Sequence, residues 1–139
     1  MSSLYYINQR IENVEVQLLS TYDKMYERSE QLGRMREAKE KFLEVRTDLI
    51  LERSRCREPE FTPSTFYGSQ ATKINQLREN DVEESYFDIT NEQMLEVLSQ
   101  MDDTIERLSE EIRELNNQIV SLKNDRDLLF KQRESELFS

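Results

Sequence analysis

Between Arg78 and Arg107 the chain carries ten acidic side chains and no basic one: Glu79, Asp81, Glu83, Glu84, Asp88, Glu92, Glu96, Asp102, Asp103 and Glu106. Carboxylates at this density could serve as paired general acid and base, or as ligands to a hard cation. Neither use finds its companions. The chain has no histidine, the commonest general base and transition-metal ligand. Cys56 is its only cysteine, which rules out a thiolate zinc cluster and an internal disulfide. Gly33 and Gly68 are its only glycines. A Gly-rich phosphate loop therefore cannot form, and the calcium-loop spacing lacks its sixth-position glycine. Asp102 and Asp103 fall in a helical stretch that offers no concave pocket in which an acid and a base converge. The expectation is a non-enzymatic protein with no catalytic residue, no cofactor and no metal.

Charge narrows the partners further. Residues 1–56 carry 10 Lys/Arg and 10 Asp/Glu, residues 57–90 carry 3 and 7, and residues 91–139 carry 6 and 12, so the net −10 sits in the later part of the chain. Such a surface repels phosphate backbones and anionic membranes, and nucleic-acid binding is not expected. It reads as a solvated face that aids solubility, and it can also steer a basic partner. No run of about 18 apolar residues is present, so membrane insertion is not expected. The first residues, MSSLYYINQRIENVEVQ, show no basic region followed by an apolar block. The expected location is the cytoplasm, or outside the cell without a cleavable signal peptide.

The elements that carry these residues are legible from periodicity. Leu4, Ile7, Ile11, Val14, Leu18, Met25, Leu32, Met35, Phe42 and Leu49 fall on one heptad seam. Leu98, Met101, Ile105, Leu108, Ile112, Leu115, Ile119 and Leu122 follow the same 3-4 rhythm without a miss. An average repeat of 3.5 keeps one apolar seam facing a partner helix, which is the coiled-coil pattern. With 36% hydrophobic residues, a large single core is not expected. The first seam has polar entries at Thr21, Arg28, Lys39 and Arg46, which lower stability and fix register. Gly33 and Arg28 mark the softest part of that helix.

The first helix carries a second, partial apolar stripe. Tyr5, Leu19 and Tyr26 fall at b positions, and Tyr22, Leu43 and Ile50 at e positions. These columns are adjacent on the helix surface and widen its apolar face to one side. The later helix has only Leu95, Val120 and Phe130 to compare. One reading makes the stripe a partner face; the other has tyrosines lying along a solvated helix.

Residues 57–69, REPEFTPSTFYGS, interrupt the two seams. Pro59 and Pro63 disfavour helix before them, Gly68 permits a tight turn, and Ser69 can cap the next helix. A short connection between matching seams implies antiparallel return. The expected fold is all-α: a single helical-hairpin domain of coiled-coil type over 1–139, with helices over about 3–56 and 70–136. The second arm should be kinked near 86–91, where Thr90 and Gln93 make a capping-box pattern that would restart the helix.

Phe66-Tyr67-Gly68, set between two amphipathic helices and followed by SQATKINQLRE, resembles the Trp-x-Gly turn of the small helical-hairpin proteins of type VII secretion, with Phe66 in the place of Trp. The chain is similar to the larger members that accompany LXG-domain toxins as targeting partners or chaperones. The resemblance implies a helical partner, either an LXG-type toxin or a second small helical accessory protein, with self-association as a further option. It also implies an aromatic-x-x-x-acid export signal near the C-terminus, for which Phe130 and Glu134 have the spacing. Tyr26 and Glu30 have it too. A coiled-coil scaffold or adaptor unconnected with secretion fits the seams equally.

Overall fold

In the computed structural model, which describes residues 3–55 and 68–138, all regular structure is helical. The elements are α1 (Ser3–Arg55), α2 (Gly68–Leu77), a π-helical segment Arg78–Glu83, α3 (Glu84–Asp88), a second π-helical segment Ile89–Gln93, and α4 (Met94–Leu137). The chain is an antiparallel two-helix hairpin, and it divides into two compact units. One pairs α1 up to Arg34 with α4 from Ile105; the other is Met35–Thr104.

In the first unit Ile7 and Ile11 pack with Leu129, and Val14 and Phe130 lean on that cluster. Leu18 and Leu32 on α1 and Leu108 and Ile119 on α4 continue the buried seam. Thr21, a polar seam position, is also buried and back-bonds to the Gln17 carbonyl at 2.8 Å. Arg28 meets Glu111 at 2.8 Å. The two charges pair without an aligned N–H, and Glu111 Oε2 is shielded from solvent. Both side chains are about one-third exposed, so the pair sets register more than it adds stability.

In the second unit the first helix presents Lys39, Phe42, Arg46, Leu49 and Arg53 along the seam, each partly buried. Lys39 pairs with Asp102, and Arg53 lies 3.7 Å from Glu83 and over the Phe87 ring. Across from them the seam of the second arm slips. Counting back from Met94 in heptad steps leads to Asn91, Phe87 and Glu84; Asn91 is half-buried beside Thr90, but Phe87 and Glu84 are exposed, and the inward positions are Thr90, Tyr86 and Glu83. Counting back from Glu83 leads to Glu79, Gln76 and Thr72, yet Arg78, Asn75 and Ala71 turn inward. Each slip is one residue, and each falls on a π-helical segment. A π turn accommodates one extra residue, so the two segments act as single-residue insertions that keep the seam pointed at α1.

This corrects the expected restart at Thr90. Asp88, Ile89 and Met94 all have right-handed helical dihedrals, and no side chain caps the segment. Thr90 is fully buried, and its hydroxyl donates to the carbonyls of Tyr86 (2.9 Å) and Phe87 (3.3 Å) instead of capping a new helix. Its own carbonyl accepts from Arg46 Nε at 2.9 Å, and Arg46 Nη2 donates to Asn91 Oδ1 at 3.4 Å. The polar seam residue Arg46 is thereby matched to a π-helical carbonyl.

α2 begins at Gly68 and contains Ser69. Gly68 does not occupy the left-handed region, and no described residue lies within 4 Å of where a Cβ would sit. Its place as a turn glycine therefore carries no backbone strain. Cys56, Phe66 and Tyr67 lie outside the described residues.

Gly33 is likewise in open space within α1. Helical glycine costs about 1 kcal/mol relative to alanine. Gly33→Ala is expected to stabilise the chain by about that amount, read as a higher denaturant midpoint at unchanged m-value.

Candidate partner-binding face

The stripe beside the α1 seam is left open in both units. In the first, Tyr5, Leu19, Tyr22 and Tyr26 are exposed, from 38% at Tyr22 to 69% at Leu19. In the second, Leu43 and Ile50 are exposed at about 40% each. The cause is geometric. A helix packed through a and d positions turns its e column to the edge of the contact and its b column beyond it.

The polar tips of this stripe are tied down locally, which leaves the rings as surface. Tyr5 Oη accepts from Gln9 Nε2 at 2.9 Å, and Tyr26 Oη donates to Glu30 Oε1 at 3.1 Å, each one turn along α1. The Lys123 ammonium stands 5.6 Å from the Tyr22 ring centroid. A large aromatic surface held at low entropic cost suits a helix–helix contact.

The second arm contributes residues that heptad counting did not assign. Phe87 and Leu95 are exposed at 40% and 44%. Periodicity marks Leu95 only in isolation and misses Phe87, because the π-helical segment hides the phase of everything before Met94. Val82, Ile89 and Val97 flank the opposite side of the seam and are exposed as well.

Phe130 and Glu134 are not presented alike. Glu134 is exposed, whereas Phe130 is partly buried against the Ile7, Ile11 and Leu129 cluster, with the guanidinium groups of Arg126 and Arg133 at 5.8 and 5.0 Å from its ring. Phe130 therefore has a packing role whatever else it does. Among the described residues no group of three or more His, Cys, Asp or Glu is placed to hold a metal, and no helix is long and apolar enough to cross a membrane. No family model, no curated protein and no solved structure matches the chain.

Proposed function

We propose that this chain is a non-enzymatic accessory protein of a bacterial type VII secretion system, binding the N-terminal helical region of an LXG-type toxin to target or chaperone it for export. The observation that carries the binding half of the reading is the open stripe of Tyr5, Leu19, Tyr22 and Tyr26 in one unit and Leu43 and Ile50 in the other. In either unit, an open apolar strip beside a satisfied seam is the surface a third helix covers. The secretion half rests on the resemblance of Phe66-Tyr67-Gly68 to the Trp-x-Gly turn and on the Phe130/Glu134 spacing in a helical hairpin.

Co-purification with the toxin, followed by an export assay, tests both halves. Phe66→Ala is expected to lower toxin co-purification several-fold at unchanged helix content, since buried aromatic anchors carry disproportionate binding energy. Glu134→Ala, at an exposed carboxylate, is expected to leave the complex intact and lower export alone. Phe130→Ala is the poorer probe because it also loosens the cluster at Ile7 and Leu129. Normal co-purification and export in all three strains would leave the chain a coiled-coil scaffold unconnected with secretion.

A further inference from the structure

In the second unit the open apolar strip has a charged border on one side. The pairs Lys39–Asp102 and Arg46–Thr90 set Leu43 level with Leu95, and the contact of Arg53 with Phe87 sets Ile50 level with Phe87. By heptad position these four side chains flank the seam on the same side, and each is exposed at 40–44%. Beyond Phe87 and Leu95 run Glu84, Asp88, Glu92 and Glu96, one every four residues and all exposed. None of the four is in an ion pair among the described residues; Glu96 takes only a 3.5 Å bond from Gln100. Like charges four apart repel on a helix and destabilise it. The free chain thus keeps a row of mutually repelling carboxylates beside an uncovered apolar strip.

We infer that this strip is the seat of an amphipathic helix from another protein, one whose apolar stripe is bordered by Lys and Arg. The inference rests on the stripe being a partner face and adds the chemistry of the partner. Apolar contact with Leu43, Ile50, Phe87 and Leu95 supplies affinity, and the basic border relieves the repulsion along Glu84, Asp88, Glu92 and Glu96. A second copy of this chain is the wrong occupant: it carries net charge −10 and an identical acidic row.

The test uses the full chain and two synthetic helices of about four heptads, with the same leucine stripe bordered by lysine in one and by glutamate in the other. Fluorescence anisotropy is expected to show the lysine-bordered helix binding at least tenfold more tightly. Raising salt from about 0.05 to about 0.5 M should weaken it several-fold, as the Debye length shortens. Glu84→Lys with Glu92→Lys should cost at least tenfold, and so should Leu43→Ser with Leu95→Ser. The equal charge change Glu12→Lys with Glu15→Lys, on exposed positions of the other unit, should cost less than threefold. Equal binding of the two helices, or equal loss in the Glu12/Glu15 control, would overturn the charge-selective partner while leaving the partner face standing. Absence of binding by either helix, or a stable homodimer that excludes both, would overturn the inference together with the face.

Discussion

Replacing Leu19 and Tyr26 together by glutamate is expected to leave helix content and unfolding midpoint nearly unchanged and to abolish association with the proposed helical partner. The two positions are 69% and 67% exposed, so the free chain loses little burial. Glutamate is a better helix former than tyrosine, and the new carboxylates lie one turn from Glu15, Asp23 and Glu30, at a few tenths of a kcal/mol for each pair. In a complex the same change removes two apolar anchors, each contributing about 1.5–3 kcal/mol when covered, and leaves two carboxylates facing an apolar surface. Even the lower sum corresponds to about a hundredfold in affinity. Sedimentation and co-purification read it directly. A variant that still binds its partner at wild-type strength, or a wild-type chain that is a stable monomer indifferent to the partner, would remove the stripe from the functional account.

How far the sequence reaches depends on which physical signal a residue carries. The α1 seam was readable up to Leu49, including Thr21, Arg28, Lys39 and Arg46, because a heptad marks a position by phase even where the residue is polar, and all four are buried or half-buried. The α4 seam from Leu98 to Leu122 was readable for the same reason, whereas Leu129, buried against Ile7 and Ile11, lies beyond the positions that were assigned. The segment before Met94 was not. There the inward residues are Ala71, Ile74, Asn75, Arg78, Glu83, Tyr86, Thr90 and Asn91, mostly small or polar and at uneven spacing, so neither apolarity nor a fixed period marks them. Thr90 followed by Gln93 has the spacing of a capping box, and local chemistry alone favours that reading. What overrides it is tertiary: Arg46 offers a donor to the Thr90 carbonyl, and burying the hydroxyl against its own helix needs no chain break. The open stripe was legible as an asymmetry between helices. Its continuation through Phe87 needed the π-helical phase.

The sharpest expected difference is between two deletions of one exposed residue. Removing Glu92 from the segment Ile89–Gln93 takes out the residue that a π turn absorbs, so the helix closes into ordinary i→i−4 bonding while both sides keep their faces. Arg46 loses part of its match to the Thr90 carbonyl, a change of about 1 kcal/mol. Removing Asn116 from regular α4 has no such slack. Everything on one side of the gap turns by about 100° relative to the other, and the buried Leu108 cannot stay in one seam with Ile119 and Leu129. At about 1.5–3 kcal/mol for each seam side chain turned out to water, the loss is several kcal/mol, enough to unfold a hairpin of ordinary stability. Thermal unfolding followed by circular dichroism separates the cases: a midpoint near wild type without Glu92, and no cooperative transition without Asn116. Equal damage from both deletions would mean that the π-helical segments do not compensate a one-residue slip, and that the polar contacts of Arg46, Thr90 and Glu83 hold the second arm in register by themselves.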